Sequence, residues 1–188
     1  IIDGLIFRKE YDLSRLKEKD FPLEFFQIGF AHYNGKKDLD GNDLLFIRAN
    51  CHKKIQLIKK LTYQFYIFQM EQVANQSRGN GITIVIDLNN FGFANIDLDL
   101  LFWTAKLYNR YCPISLKHII LYNMPRFVRP LYNRFKSLLP TEFQQRLKFC
   151  NDDEIFEYIE RKNLPIYPGG TFHHYDTNDN EQNNLYDK

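Results

Sequence analysis

The residue best placed to do chemistry in this sequence is Asp87. It ends the apolar run of residues 82–87 (ITIVID), and α/β domains bind ligands beyond the carboxyl ends of their parallel strands. A carboxylate there can act as a nucleophile or as a metal ligand. However, no second acidic residue follows at a phosphatase-like spacing, and no glycine-rich phosphate loop precedes a helix. We therefore interpret Asp87 as a capping or structural residue, and a metal-dependent hydrolase built on it is the least favoured hypothesis.

The histidines and cysteines form no recognisable catalytic or metal-binding motif. His173 and His174 are adjacent, but two ligands alone make a poor metal site. Cys51, Cys112 and Cys150 are widely spaced with no CxxC pair, which predicts neither a zinc site nor a disulfide framework and favours a reducing compartment. The sequence also lacks a GxSxG motif. We predict that the protein is not an enzyme and that it needs no metal and no cofactor.

Composition limits the kinds of molecule that we expect this chain to bind. The chain has 188 residues, of which 44% are hydrophobic and 16% aromatic, and a formal net charge of +2. A charge so close to balance argues against a dedicated nucleic-acid binder, whereas abundant aromatic side chains can line a ligand cavity. No run is long enough to span a bilayer and no signal peptide is visible, so we expect a location on the cytoplasmic side of membranes. The chain starts at Ile1, and we expect any anchor to lie outside it.

One βαβ unit organises the elements. The apolar runs 82–88 and 118–123 read as strands, and the segment 97–110 between them reads as a helix. Strands that are apolar at consecutive positions are buried on both faces, which is typical of parallel sheets covered by helices. Around this unit we predict further strands at 25–33, 44–50 and 147–150 and a helix at 53–76. The predicted fold class is therefore α/β, with a mostly parallel β-sheet flanked by helices.

Residues 126–139 carry the most informative surface pattern. On a helix, Leu131, Phe135, Leu138 and Leu139 gather on one side, while basic and polar residues gather on another. Such a helix can lie on an anionic bilayer with its apolar side down. The residues predicted to contact a membrane are Arg126, Phe127, Arg129, Leu131 and Tyr132. The alternative is a surface helix that packs its apolar side on the sheet.

The order and spacing of several short motifs resemble the CRAL-TRIO lipid-binding domain from about residue 25 to residue 171. The matching pieces are residues 85–88 (VIDL) with Gly92, 111–113 (YCP), 120–125 (ILYNMP), 135–139 (FKSLL), 164–165 (LP) and 167–170 (YPGG). Residues 96–99 (IDLD) and 169–171 (GGT) are most similar to the CRAL-TRIO domain of motile-sperm-domain-containing proteins of the endoplasmic reticulum. On this reading residues 1–24 end a preceding helical module, and residues 172–188 form a loose polar tail.

The resemblance implies an internal lipid pocket, floored by the sheet and closed by a mobile gate helix at 126–139. The implied function is binding, transfer or sensing of a lipid at membranes or lipid droplets, with no chemistry performed on it. It also implies that the full-length protein is anchored at the endoplasmic reticulum and works at membrane contact sites. The open alternative is a module that docks on a membrane or a protein and whose pocket is vestigial.

Positions that recognise head groups in the family carry over only in part. The acidic residue expected after the Tyr-x-Pro piece falls on Ile114, and the polar residues of the central strand fall on Ile82 and Ile84, whereas a basic residue of the phosphoinositide site falls on Arg146. We therefore expect a hydrophobic ligand that the pocket recognises with little head-group specificity, rather than a specific inositol lipid. The predicted lipid-binding residues are Ile82, Ile84 and Ile86 on the floor, Phe102, Tyr122, Phe127, Leu131, Phe135 and Leu138 on the walls or gate, and Arg146 and Lys117 near any phosphate.

Overall fold

The fold is built on one five-stranded sheet with strands in the order of the chain. The computed structural model describes residues 2–13, 15–110, 116–139, 141–165 and 170. The strands are β1 (Ala31–Lys37), β2 (Asp43–Arg48), β3 (Ile82–Asp87), β4 (Leu116–Tyr122) and β5 (Leu147–Cys150). The first pair is antiparallel and the other three pairs are parallel. The predicted mostly parallel α/β sheet is confirmed.

Helices and short 3-10 turns connect and cover these strands. The helices are α1 (Ile2–Glu10), α2 (Leu23–Ile28), α3 (Lys59–Ser77), α4 (Leu98–Arg110), α5 (Arg129–Lys136) and α6 (Thr141–Arg146). The connections from β2 to β3 and from β3 to β4 contain α3 and α4, as parallel neighbours require. The predicted central βαβ unit is therefore present.

Alternation along the strands gives the sheet two different apolar faces. One face, here called the helix face, carries Leu45, Ile84 and Ile119 side by side in register, and α3 packs over the part of it that β1, β2 and β3 form. The other, the rear face, carries Phe46, Val85 and Ile120 in the neighbouring register row. Short 3-10 turns after β5 cover the rear face with Ile155 and Ile159. Long helices therefore cover the helix face, and short turns cover the rear face.

The N-terminal segment packs on the helices of the helix face. Tyr11, Leu13 and Phe21 are buried in the same core cluster as α3. The Trp103 indole donates a hydrogen bond to the Tyr11 hydroxyl over 2.7 Å, and Gln64 Nε2 donates to the Tyr11 carbonyl over 3.0 Å. Tyr11, Leu13 and Phe21 thus contribute to the core around α3 and α4, and the origin of residues 1–24 in a preceding module stays a prediction.

Two predicted element boundaries were wrong. The predicted strand 25–33 begins only at Ala31, because Leu23–Ile28 is helical and Gly29 ends that helix at φ +66°. Its aromatic residues pack edge-to-face on Phe65 of α3 instead of alternating between two faces of a sheet. The predicted helix 53–76 begins only at Lys59, after a 3-10 turn at Gln56–Ile58.

Candidate ligand-binding site

A cavity of about 170 Å³ lies on the helix face, beyond the part of the sheet that α3 covers. Its floor is formed by Ile47, Ile86 and Leu121 near the carboxyl ends of β2, β3 and β4, together with Ile119 in the middle of β4 and Leu147 at the start of β5. All five are aliphatic. The cavity is therefore placed where α/β sheets bind ligands, but its floor offers no polar side chain.

The outer wall of the cavity is α5 together with the residues on either side of it. The chain turns at Pro125, forms a 3-10 turn at Arg126–Val128 and enters α5 with Pro130 in the first helical turn, a position that tolerates proline. The side chains of this segment that line the cavity are Val128, Leu131, Tyr132, Phe135 and Leu139. Its outer side carries exposed Arg129, Asn133 and Arg134. The amphipathic pattern of the sequence thus corresponds to a helix whose apolar side lines a cavity.

Tyr132 joins this wall to the edge of the sheet. Its ring packs edge-on against Phe149 of β5, with 4.9 Å between ring centroids, and burial raises the pKa of its hydroxyl. The sequence predicted Tyr132 as a membrane contact, whereas in this conformation it faces the cavity.

A buried histidine–aspartate pair forms the polar part of the wall. His52 Nε2 lies 3.1 Å from Asp97 Oδ2, and the two residues are 6% and 5% exposed. Asp97 Oδ1 also accepts hydrogen bonds from the backbone amides of Asp99 and Leu100, which caps α4. Asn95 donates from Nδ2 to the carbonyls of Asn50 and His52. These groups satisfy one another, so the cavity presents a mainly apolar lining.

The pairing of His52 with Asp97 was not predicted from the sequence, because 45 residues separate them and neither belongs to a spaced motif. Phe30 and Tyr66, which also line the cavity, were missed as well. Tyr66 is one of the buried residues of α3, and nothing in the sequence distinguishes a residue of a cavity wall from one in a packed core.

Three of the predicted lipid-binding residues line the cavity: Ile86, Leu131 and Phe135. Ile82 and Ile84 lie on the same face but are fully buried under α3, nearer the amino end of β3. Tyr122 lies on the rear face, because it alternates with Leu121, whose side chain lines the cavity. Contact of these residues with a ligand stays a prediction.

The other predicted residues lie outside the cavity lining. Phe102, Phe127 and Leu138 are exposed, and the Phe127 ring contacts the ring of Phe93 with 4.5 Å between centroids. Lys117 is exposed near the amino end of β4. Arg146 is half-buried, with its guanidinium 5.4 Å from the centre of the Phe143 ring, and it directly precedes the floor residue Leu147.

Asp87 lies apart from the cavity lining, 3% exposed and opposite Arg48 in the strand register. Burial raises its pKa, although hydrogen bonds from Asn89 lower it in part. Burial also raises the pKa of the Cys150 thiol to about 11, which disfavours the thiolate. Among the described residues no cluster of three or more His, Cys, Asp or Glu side chains is arranged to hold a metal ion. Cys112, His173 and His174 lie outside the described residues.

Comparison with known protein families matches residues 27–170 to the CRAL/TRIO domain. Among curated proteins, the chain is 23% identical over 167 residues to the human tyrosine-protein phosphatase non-receptor type 9, covering 87% of this chain but only 28% of that protein. It is 20% identical over 171 residues to the phosphatidylinositol transfer protein CSR1 of Eremothecium gossypii, covering 89% of this chain and 39% of that protein. The chain thus spans well under half the length of these two relatives.

A third relative and a solved structure extend the match. A CRAL-TRIO domain-containing protein of Dictyostelium discoideum is 22% identical over 183 residues, covering 91% of this chain and 71% of that protein. The crystal structure of Sfh5 superposes with a TM-score of 0.68 at 16% identity, covering 96% of this chain and 74% of that chain. Within the described part of the chain, no helix is both long and apolar enough to cross a bilayer. The match of residues 27–170 spans most of the sequence, and the chain belongs to the CRAL/TRIO domain family.

Proposed function

We propose that this chain binds a hydrophobic lipid in the cavity on the helix face and exchanges it with membranes past α5. The observation that carries the proposal is an apolar cavity between the carboxyl half of the sheet and one short amphipathic helix. Membership in the CRAL/TRIO family supports it, as does a relative named as a phosphatidylinositol transfer protein. No step in this function requires chemistry on the lipid.

The size of the cavity indicates that a lipid must displace part of the wall. An apolar cavity of about 150 Å³ is large enough for benzene, and this cavity measures about 170 Å³. An acyl chain needs more room than that, and α5 is the part of the wall best suited to move. It is eight residues long and none of its side chains is fully buried. Its outward movement would therefore expose little buried apolar surface.

Among the predicted head-group residues, the position of Arg146 supports contact with a phosphate. It ends α6 and immediately precedes Leu147 on the cavity floor, and its guanidinium can bind a phosphate with two hydrogen bonds. Lys117 lies four residues from Leu121 along an extended strand, a separation of roughly 13 Å. Its contact with a phosphate is the weaker part of the prediction. The lipid itself is proposed only as a class, with an apolar part that fills the cavity.

A membrane contact at the start of the gate is part of the same proposal. Arg126, Phe127 and Arg129 are all exposed, and Phe127 pairs with Phe93, which is 77% exposed. Exposed aromatic rings beside arginines suit the interface of an anionic bilayer. When α5 moves outward, Leu131 and Tyr132 would reach the same interface. Placement at the endoplasmic reticulum, at contact sites or on lipid droplets, and the closer likeness to motile-sperm-domain proteins, remain predictions from the resemblance.

Native mass spectrometry of the purified chain, followed by lipid extraction, tests this function. The expected result is a folded protein that carries one lipid per chain or takes one up from vesicles. A matched pair of variants sharpens the test, since Ile86→Phe fills the cavity while Leu39→Phe changes an exposed residue on the hairpin between β1 and β2. Ile86→Phe should reduce lipid uptake at least tenfold, because about 170 Å³ leaves little room beside an added ring.

The small volume of the cavity and the exposed Phe93–Phe127 pair favour a second candidate function, a docking module whose cavity holds no lipid. Lipid content separates the two functions, because both place Phe127 at the membrane and both expect Phe127→Asp to weaken vesicle binding. The docking module predicts that this variant loses vesicle binding and that no variant carries or takes up lipid. A well-folded wild-type chain that never carries lipid, alone or after exposure to vesicles, would contradict the proposed function and leave the docking module.

A further inference from the structure

A second basic and apolar surface lies on the loop between β2 and α3, outside the site described above. Residues 53–60 read Lys-Lys-Ile-Gln-Leu-Ile-Lys-Lys, so that two pairs of lysines enclose three aliphatic residues. Leu57 is 97% exposed and Ile55 is exposed as well. A single exposed leucine is ordinary in a folded protein. This one lies between two pairs of cations, which is the pattern of an interfacial membrane segment.

The charges of this loop are only partly neutralised. Lys59 and Lys54 lie 2.9 and 3.2 Å from Asp99 Oδ2, and the hydrogen bond from Lys59 is the largest cause that lowers the pKa of Asp99. Lys53 and Lys60 are exposed, and neither pairs with a carboxylate in the described part of the chain. Four lysines against Asp97 and Asp99 leave a local charge of +2, as large as the net charge of the whole chain.

The start of α3 adds positive potential at the same place. The helix begins with Lys59 and Lys60, has no acidic residue in its first turn and has Ile58 at its N-cap position, which makes no capping hydrogen bond. Helix N-termini carry partial positive charge and favour anions, so lysines there are unfavourable. Phosphate groups at this end would relieve that repulsion. The loop therefore complements an anionic surface in charge.

The loop is fixed at the rim of the cavity. His52, which precedes it, pairs with Asp97 and accepts a hydrogen bond at its carbonyl from Asn95, and both of these residues line the cavity. Phe93, two residues before Asn95, contacts Phe127 at the start of the gate segment. The backbone of the loop that carries Leu57 is thus fixed at His52. Residues 93–97 connect it to Phe127 at the exposed start of the gate segment.

We propose that residues 53–60 are a second membrane-contact site that binds the surface of an anionic phospholipid bilayer. Leu57 and Ile55 enter the interfacial region while Lys53 and Lys60 lie among the phosphates. This contact is separate from the gate helix and does not require that the cavity hold a lipid. Because residues 93–97 connect the loop to Phe127, this contact would also bring the start of the gate segment near the bilayer.

The test is co-sedimentation of the full chain with phosphatidylcholine vesicles, with and without phosphatidylserine. Lys53→Gln/Lys60→Gln should lower the partition coefficient on anionic vesicles by roughly 30-fold at low salt, since each lysine near such a surface is worth about 1 kcal/mol. Leu57→Ser should lower it about tenfold. The matched controls are Lys9→Gln/Lys19→Gln, with the same charge change in the N-terminal segment, and Leu39→Ser on the hairpin between β1 and β2. Both controls should bind like wild type.

Vesicle binding that is unchanged in both loop variants would overturn the proposal, even if an acidic protein were then found to bind the loop. An equal loss in the Lys9→Gln/Lys19→Gln control would also overturn it, because the effect would then follow total charge. Lipid content by native mass spectrometry distinguishes this outcome from failure of the proposed function. An empty cavity together with loop-dependent vesicle binding would support the membrane contact of the loop and contradict lipid carriage. A lipid-filled cavity together with vesicle binding that does not depend on the loop would support lipid carriage and overturn the membrane contact of the loop.

Discussion

The helices α3 and α5 cover the same face of the same sheet in opposite ways. α3 has 19 residues and buries nine of them, among them Tyr63, Phe65 and Val73. α5 has eight residues, none of which is fully buried. Phe65 of α3 and Ile84 beneath that helix are fully buried, whereas a cavity of about 170 Å³ lies under α5. One sheet face thus combines a well-packed half, which supplies stability, with a half that is covered by a helix without fully buried residues.

The largest effect should come from truncating matching aromatic residues in the two helices. Phe65 is fully buried and packs against the rings of Phe21, Phe25 and Phe26. Phe65→Ala should therefore cost about 3–5 kcal/mol in the free energy of unfolding. Phe135→Ala in α5 should cost only about 1–2 kcal/mol, because its side chain is half-exposed. Urea unfolding monitored by circular dichroism measures both values, and equal losses would show that α5 is as much a part of the core as α3.

A smaller effect should separate two isoleucines of β3 that point to the same face. Ile84 is fully buried under α3, so Ile84→Phe should destabilise the fold by about 1–3 kcal/mol through overpacking. Ile86 lies two residues further along and lines the cavity. Ile86→Phe should change the free energy of unfolding by less than about 1 kcal/mol, since the new ring enters empty space. If Ile86→Phe proved as destabilising as Ile84→Phe, the cavity would not exist in solution.

Sequence reasoning reached the architecture of this sheet because the relevant signals are local. The apolar runs of β3 and β4 and the helix between them are each specified by neighbouring residues. Residues 25–28 were misread as the start of a strand because Phe25 and Phe26 pack on Phe65, which is far away along the chain, and no local pattern indicates that contact.

The cavity lining was less predictable than the fold. Alternation places Ile82, Ile84 and Ile86 on one face, but which of them α3 covers depends on where that helix crosses the sheet. The same alternation puts Tyr122 opposite Leu121, so its rear-face position could have been found from the register of β4 alone. The pairing of His52 with Asp97 depends on two loops meeting, and nothing in the sequence predicts it.

The smallest expected effect lies on Asp87, away from both helices. Its pKa is raised in the folded protein by burial, so the buried charge opposes folding at neutral pH. That cost disappears as the pH falls from the raised folded pKa toward the unfolded value near 4. Asp87→Asn should therefore be at least as stable as wild type at pH 7, and its advantage should shrink as the pH falls through that window. Unfolding curves at several pH values measure this.

The same variant tests whether Asp87 has any part in function. Lipid uptake by Asp87→Asn should equal that of wild type, because the carboxylate does not line the cavity. A loss of uptake with normal stability would mean that the carboxyl edge of β3 belongs to the site after all.

The central claim is that α5 is the removable wall of a lipid cavity, and amide hydrogen exchange tests it most directly. Amides of Arg129–Lys136 should exchange much faster than those in the middle of Lys59–Ser77, because local opening requires less buried surface to be exposed. Adding lipid vesicles should change exchange in α5 while leaving α3 unaffected, and Ile86→Phe should remove that change. Protection of α5 equal to that of α3, with no response to lipid, would contradict the account.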